Sequence, residues 1–285
     1  MTDPDRSAGS RSGGWWNRRR WTGGGLSGSA VPGSAVSGSG LSPLQRYSLD
    51  VNGFLLLESA LDQATVARMR AVIADQGLPP PGEELATQRF GQAGRLFEWD
   101  RTFVDLIDHP WTVAVLRDLI GTHVRLDHAY GIAMSPGTSG LGLHGPAEPF
   151  DPAQFYLSRM GALRSGLLAF SWSLTEGRAG QGGFGCIPGS HRSDQPLPPG
   201  AESLIVEVPQ PAGSLLVFTE ALVHCTVPWS GTESRLVAML KYSPGNSAWD
   251  PSPAATDKTV RSMSERQRLF FQPPSVGAHR PTLDG

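Results

Sequence analysis

The sequence predicts a mainly β protein that carries helices on one side of its sheets, and three observations indicate it. Strand-sized apolar runs in the second half are separated by Gly and Pro, helical patterns lie mostly in the first half, and 285 residues suit one large β domain. Several short strands after several helices favour an antiparallel sandwich or barrel. The number of runs fits a jelly roll.

The first half of the chain contains most of the predicted helices. The expected elements are, in order, a helical turn at 44–47, a strand at 53–57, a helix from Asp62 to Gly77, and short helices at 102–107 and 110–120. Asp62 is a preferred N-cap residue. Val66, Met69 and Ile73 follow it at helical spacing. Pro110 occupies the first turn of its helix, where a missing N–H costs nothing.

The second half contains the predicted strands. After a mixed β-like stretch from His123 to Met134, the strand-sized runs are 165–174, 183–187, 204–208, 214–218, 222–227 and 235–242. The C-terminal stretch 257–271 has apolar residues at helical offsets and ends before Pro273 and Pro274, so one last packing helix is expected there.

The chain divides into two segments of different composition. Residues 1–42 are rich in Gly and Ser and are expected to form a disordered tail, and 43–285 are expected to form one domain. The tail contains Arg18, Arg19 and Arg20, but no convincing apolar h-region follows them, so we do not expect an export signal.

Charge and cysteine content narrow the class of partner. A net charge of −2 and a pI near 6.4 argue against a dedicated nucleic-acid binder, which leaves small molecules as the expected partners. No apolar run is long enough to span a membrane. Cys186 and Cys225 form no zinc-binding spacing or disulfide framework, which fits a reducing cytoplasm. The sequence does not indicate an oligomeric state.

The chemistry is expected near two histidines and one arginine. No phosphate-binding glycine motif, Gly-x-Ser-x-Gly or Cys-x-x-Cys is present. If 223–227 and 234–241 are adjacent strands of one hairpin, His224 and Arg235 are cross-strand partners and share a face. Thr226 points the same way because side chains alternate along a strand. An imidazole, a hydroxyl and a guanidinium then converge on one pocket wall.

The order of motifs along the chain carries a family resemblance. The motifs are Asn52–Gly53–Phe54–Leu55, His144, Trp172–Ser173–Leu174, Gly182–Gly183, Ile187–Pro188–Gly189–Ser190–His191, Gly213–Ser214–Leu215–Leu216–Val217–Phe218, His224 and Arg235. This order resembles the phytanoyl-CoA dioxygenase family over roughly residues 44–275. The eleven-residue spacing from His224 to Arg235 is one of the family's markers. His191 is expected to orient its turn by hydrogen bonding rather than to bind metal.

The resemblance implies a double-stranded β-helix, a jelly-roll or cupin-like fold, and an oxygenase that uses Fe(II) and 2-oxoglutarate. It makes His144 and His224 metal ligands and Arg235 the partner of the far carboxylate of 2-oxoglutarate, for which a planar guanidinium fork is suited. Thr226 is expected to donate a hydroxyl to the same carboxylate. Trp172, at the position of a family tryptophan, is expected to wall the cosubstrate pocket.

The chain departs from the family pattern after His144. The family has His-x-Asp, whereas here Gly145 and Pro146 follow the histidine, and proline has no side-chain ligand atom. Three interpretations stay open. In the first, a nearby carboxylate completes the site, and Glu148 is the preferred candidate before Asp151. In the second, iron keeps an open position for water or halide, as in halogenating relatives. In the third, the site has lost iron and only binds a ligand.

The sequence therefore predicts a cytoplasmic oxygenase that oxidises a C–H bond of a small metabolite. A halogenase-like variant and a non-catalytic binding protein on the same scaffold are the alternatives. The sequence does not identify the substrate.

Overall fold

The computed structural model describes residues 19–20, 40–78, 86–146, 151–251 and 254–283. Its helices are α1 Pro43–Asn52, α2 Gln63–Asp75, α3 Leu96–Trp99, α4 Arg101–Val104, α5 Pro110–Leu119, α6 Asp257–Arg261 and α7 Glu265–Leu269. Its strands are β1 Arg19–Arg20, β2 Phe54–Leu57, β3 Gln88–Phe90, β4 Val124–Met134, β5 Leu141–His144, β6 Tyr156–Arg159, β7 Ala162–Ser165, β8 Leu168–Ser173, β9 Gly183–Cys186, β10 Val206–Glu207, β11 Leu215–Thr219, β12 His224–Val227 and β13 Arg235–Pro244.

Two facing sheets form the body of the protein. The larger sheet has the strand order β2-β11-β8-β13-β4-β3, and the smaller one has the order β1-β10-β9-β12-β5. Phe184 of the smaller sheet meets Phe218 of the larger one, with ring centroids 4.7 Å apart. This is the expected double-stranded β-helix, and each predicted strand run overlaps an observed strand. A separate pair, β6 and β7, forms a hairpin.

The helices cover the outer face of the larger sheet. Trp172, Phe170 and Leu240 belong to one buried cluster that also contains the apolar faces of α2 and α5. A second, smaller cluster lies between the two sheets and contains Phe184 and Phe218. Since side chains alternate along β8 and β13, one face of the larger sheet packs against helices and the other faces the interior.

The start of α2 follows the local signal that predicted it, whereas α1 is longer than the helical turn expected at 44–47 and α2 ends at Asp75, before the expected Gly77. Asp62 accepts a hydrogen bond from the Thr65 N–H at 2.7 Å and begins α2. The buried residues of α2 are Val66, Met69 and Ile73, as expected. Gly53 ends α1 with a φ of 80°, a left-handed conformation that favours glycine.

The C-terminal helix prediction was wrong in one respect. Instead of one helix over 257–271, the chain forms α6 and α7, separated at 262–264. The reason is a capping box, in which the Ser264 hydroxyl accepts from the Gln267 N–H and the Gln267 side chain accepts from the Ser264 N–H. A capping box starts a new helix.

The hairpin premise for His224 and Arg235 was also wrong. β12 pairs with β9 and β5 in the smaller sheet, whereas β13 pairs with β4 and β8 in the larger one. The segment that connects them is not a hairpin turn. Its backbone bonds to other loops: the Trp229 N–H donates to the Thr138 carbonyl, and the Ser230 N–H donates to the Gln181 carbonyl. The connection thus crosses from one sheet to the other.

Little of the N-terminal tail is described. Arg19 and Arg20 pair in parallel with Val206 and Glu207, and the other residues before 40 lie outside the described part of the chain. The expected disorder of residues 1–42 does not hold at 19–20 or at 40–42, where Leu41 is buried and donates its N–H to Asp118, and it stays a prediction for the rest of the tail. Among the described residues, no helix is long and apolar enough to cross a membrane.

Candidate metal and cosubstrate site

His144 and His224 lie side by side on the smaller sheet. They are direct cross-strand partners of β5 and β12, and their ring centroids are 4.2 Å apart. His224 is buried and His144 is exposed. The sequence predicted that these two residues share a site, and strand pairing brings them together although they lie 80 residues apart.

Both imidazoles are oriented by their own backbone. The Nδ1 of His144 is 2.9 Å from the Gly142 carbonyl oxygen, and the Nδ1 of His224 is 2.7 Å from the Leu222 carbonyl oxygen. A ring that donates from Nδ1 keeps a lone pair on Nε2, which is the form that binds a metal. Burial lowers the pKa of His224 to about 4, so this imidazole is neutral at neutral pH.

Arg235 faces the same interior from the larger sheet. Its side chain is buried, and its Nη2 lies 3.3 Å from the Gln210 Oε1, while Nη1 contacts the Met134 sulfur at 3.7 Å. Burial lowers its pKa to about 10, which leaves the guanidinium charged at neutral pH. No carboxylate of the described residues forms an ion pair with it. A buried charge without a partner is costly, so this arrangement favours an anionic ligand.

The surroundings of Arg235 include residues that sequence reasoning did not identify. The Gln210 Oε1 accepts from Arg235 and from the Ser171 hydroxyl, each at 3.3 Å. The buried Gln210 Nε2 has no hydrogen-bond partner in the described part of the chain. Gly183, part of the noted Gly-Gly pair, contacts the guanidinium from the smaller sheet. No local pattern marks Gln210, because it lies in a loop.

A cavity of about 310 Å³ joins the two histidines and Arg235. Its wall includes Tyr130, His144, Ser171, Phe184, Phe218, His224, Thr226, Arg235, Met239 and Lys241. Thr226 is half-buried and lines the cavity, on the same face of β12 as His224. The structure thus brings His144, His224, Thr226 and Arg235 to one cavity, although they come from both sheets rather than from one hairpin.

The expectation for Trp172 was wrong. Its side chain is fully buried on the helix side of the larger sheet, where its ring meets His109 edge to face with centroids 4.9 Å apart. Its neighbour Ser171 faces the cavity instead. Because successive side chains of β8 point to opposite faces, Trp172 cannot line the pocket that Ser171 lines.

The carboxylate side of the site is incomplete in the described chain. Pro146 is exposed beside His144, and Glu148 lies outside the described residues. Asp151 is described, and its Oδ1 accepts from the Ala153 N–H at 2.8 Å, as in a turn cap. Across the described ranges, no three His, Cys, Asp or Glu side chains are grouped closely enough to hold a metal ion.

A buried ion pair lies near the histidines and was not predicted. The Glu220 Oε1 is 2.9 Å from the Lys241 Nζ, and both side chains are largely buried. Burial would raise the pKa of Glu220, but the charge of Lys241 and its hydrogen bond lower it, so the carboxylate stays ionised. No local pattern marks this pair, because its members are far apart in the chain and meet only in the fold.

Comparison with known families identifies the scaffold. The family model described as phytanoyl-CoA dioxygenase (PhyH) matches residues 49–237. The chain belongs to this family. Phytanoyl-CoA dioxygenase family proteins are non-haem enzymes that use Fe(II) and 2-oxoglutarate, so the expected family, enzyme class and cofactors are confirmed at that level. None of the curated proteins compared with the chain matches it.

Solved structures share the fold of this phytanoyl-CoA dioxygenase family member. HygX from Streptomyces hygroscopicus with nickel and 2-oxoglutarate bound is 22% identical, covers 77% of this chain and 94% of its own, and has a TM-score of 0.64. HygX with nickel, 2-oxoglutarate and hygromycin B bound is 20% identical, with coverages of 86% and 99% and a TM-score of 0.64. SnoN, an α-ketoglutarate-dependent epimerase from nogalamycin biosynthesis, is 19% identical, with coverages of 85% and 98% and a TM-score of 0.59.

The donor set fits the family's cofactors in part. Two imidazoles whose Nδ1 atoms face backbone carbonyls are suitable Nε2 ligands for ferrous iron, and Arg235, which has no carboxylate partner among the described residues, suits a dicarboxylate. The family's third ligand, an aspartate, is the one feature that this chain replaces with proline.

Proposed function

We propose that this protein is an Fe(II)- and 2-oxoglutarate-dependent oxygenase that oxidises a C–H bond of a small metabolite. The observation that carries the proposal is the cavity shared by the His144–His224 pair and the buried guanidinium of Arg235. A metal site and an anion site facing one cavity are what a bidentate 2-oxo acid with a second carboxylate requires.

Each residue has a proposed role. His144 and His224 bind the metal through Nε2, and Arg235 binds the far carboxylate of 2-oxoglutarate with Thr226 as an additional hydroxyl donor. When bound, the ferrous ion and 2-oxoglutarate supply the oxidising chemistry. The aromatic rings of Phe184 and Phe218 make the intervening wall apolar, which keeps water from the reacting group.

The third metal position is the open part of the proposal. We propose Glu148 as the carboxylate that completes the site, since it lies four residues after His144. Asp151 is less suited because its Oδ1 is engaged by the Ala153 N–H. If neither binds, the position next to Pro146 is open to water or halide, and the second candidate function, halogenation, follows from the missing carboxylate.

The proposed substrate is a small molecule. HygX was solved with hygromycin B and SnoN belongs to nogalamycin biosynthesis, which supports a metabolite of that scale for this chain. The cavity of about 310 Å³ is at the lower end of the range for ligand pockets. The two buried free thiols, Cys186 and Cys225, are consistent with the proposed cytoplasmic location.

The test is anaerobic binding of Fe(II) and 2-oxoglutarate, followed by visible absorption and calorimetry. We expect a weak charge-transfer band in the natural protein and its loss in His224→Ala. His123→Ala changes an exposed histidine away from the cavity and serves as the matched control. The enzyme proposal fails if no band forms and calorimetry detects no 2-oxoglutarate affinity.

A second variant decides the third ligand. If Glu148 binds the metal, Glu148→Ala weakens Fe(II) affinity in a metal titration. An unchanged affinity rules out Glu148 and leaves the open position, which a chloride-dependent shift of the same absorption band would then demonstrate.

A further inference from the structure

A second group of cationic and polar side chains lines the cavity on the side of the edge strand β3. Arg89 pairs with Ile132 in the β3–β4 ladder, and its side chain points to the same inner face as Tyr130 and Lys241. The Arg89 guanidinium carbon lies 4.5 Å from the centre of the Tyr130 ring. Three residues from three neighbouring strands therefore converge on one part of the wall.

These side chains have hydrogen-bond donors that no described residue uses. Arg89 makes no hydrogen bond or ion pair with any described residue, and within the described chain its guanidinium packs on the Tyr130 ring. The Thr87 hydroxyl, two residues earlier on the same face, is buried and has no hydrogen-bond partner in the described chain. Lys241 uses one ammonium donor for Glu220, and the ammonium group has three.

This group is distinct from the Arg235 site. The Cα atoms of Arg235 and Lys241 lie six residues apart on β13, about 20 Å along the strand. The Arg235 side chain, however, reaches Gly183 of β9, which is only three residues, about 10 Å, from Cys186, the strand partner of His224. Lys241 lies near the two histidines of the proposed metal site. Phe218 and Lys241 are both strand partners of Ala169, so they lie at the same position along the larger sheet, here called the Lys241 level, and the His224 ring packs on Phe218 with centroids 4.9 Å apart. The described wall of the cavity contains Arg89, Arg235 and Lys241 but no Asp or Glu.

We propose that Arg89, Thr87, Tyr130 and Lys241 form a subsite for an anionic oxygen group, a carboxylate or a phosphate, of the molecule that is oxidised. This inference rests on the proposed function, in which Arg235 already binds 2-oxoglutarate. Because the Lys241 level is also the level of the histidines, an anion held there places the rest of the substrate next to the metal position. Arg89 supplies the net charge, since Glu220 neutralises Lys241.

The test uses simple probes with the cosubstrate site filled. Phenyl phosphate, benzoate, benzyl alcohol and benzylamine are titrated by calorimetry into the full-length protein with Ni(II) and saturating 2-oxoglutarate. We expect either anion to bind about tenfold more tightly than benzyl alcohol, as a charge-assisted hydrogen bond provides. Stronger binding of phenyl phosphate or of benzoate identifies which anionic group the subsite prefers.

Variants connect the binding to these residues. Arg89→Gln should weaken anion binding about tenfold, and Arg95→Gln, a change at an exposed arginine outside the cavity wall, should leave it unchanged. Thr87→Val removes a buried hydroxyl without a partner, so it should weaken anion binding with no loss of thermal stability.

The outcomes separate this subsite from the proposed function. Equal binding of benzyl alcohol or benzylamine, or an unchanged affinity in Arg89→Gln, overturns the subsite while 2-oxoglutarate binding in the same cell upholds the enzyme. If 2-oxoglutarate does not bind but Arg89-dependent anion binding persists, the subsite stands and the enzyme proposal fails.

Discussion

Gly183 and Arg235 contact each other across the interior of the sandwich, one from each sheet. A Cβ atom at position 183 would lie 2.9 Å from the Arg235 Nε, and the Gly183 backbone has a φ of +96°. The absence of a side chain at this position therefore leaves the space that the guanidinium occupies. The proposed cosubstrate wall depends on this contact between sheets rather than on any pairing within one sheet.

Gly183→Ala should displace the Arg235 side chain and weaken 2-oxoglutarate binding about tenfold, measured by calorimetry with Ni(II). The substitution also costs about 1 kcal/mol of stability because alanine disfavours a positive φ. Gly200→Ala is the matched control, since Gly200 has a φ of +83° and a Cβ added there would meet no atom within 4 Å. Equal affinities in the two variants would contradict the role of Gly183.

Arg235→Lys keeps the positive charge but removes the planar fork. We expect 2-oxoglutarate affinity to fall by at least about tenfold, because a lysine cannot bind a carboxylate through two parallel hydrogen bonds. Arg164→Lys, at an exposed arginine of β7, is the control and should have no effect. Retention of full affinity in Arg235→Lys would assign the far carboxylate to another group.

Adjacent residues of β8 should have opposite effects. Trp172→Leu should lower the free energy of unfolding by about 2 to 3 kcal/mol, because it leaves a cavity beside His109 in the helix-side core, and should not change 2-oxoglutarate affinity. Ser171→Ala should leave stability nearly unchanged and weaken 2-oxoglutarate binding, because Ser171 holds the Gln210 side chain that contacts Arg235. Denaturant unfolding and calorimetry on both variants check this. If Trp172→Leu weakened 2-oxoglutarate binding and Ser171→Ala did not, Trp172 rather than Ser171 would line the pocket.

The Glu220–Lys241 pair should show strong coupling. Lys241→Met alone leaves an unpaired buried carboxylate and should cost about 3 kcal/mol of unfolding free energy. Adding Glu220→Gln to that variant should recover most of the loss, because no buried charge then remains. A double-mutant cycle by urea denaturation measures the coupling, and additive losses would show that the two side chains do not interact.

Acid should destabilise the metal-free protein through two histidines. Burial lowers the pKa of His191 and of His224 to about 4, below the ordinary value near 6.5. The unfolded chain therefore binds more protons between these values, and the stability present above pH 6.5 is lost as the pH falls towards 4. Each histidine should contribute a loss on the order of 2 kcal/mol.

The pH dependence can be assigned with one variant that leaves the metal site intact. His191→Gln should flatten the fall in unfolding free energy between pH 7 and pH 4.5, whereas His123→Gln, at an exposed ring, should not. His191 also holds the turn by a 3.1 Å contact from Nε2 to the Asp50 carbonyl oxygen, as expected from its position after Pro-Gly-Ser. An unchanged pH profile in His191→Gln would show that His191 does not carry this effect.

The sequence by itself determined the elements whose signals are local. The Asp62 cap, the helical spacing of Val66, Met69 and Ile73, and the strand runs separated by Gly and Pro were all sufficient to place helices and strands. The motif order was sufficient to identify the family, and with it the two histidines and the arginine. Capping and alternation act over a few residues, so they are readable without the fold.

Only the tertiary structure decided how those residues meet. It assigned β12 and β13 to opposite sheets, turned Trp172 away from the cavity, and brought Gly183 and Gln210 to Arg235. The physical reason is that sheet assignment depends on long-range pairing and burial, which compete over the whole chain and leave no short pattern in the sequence.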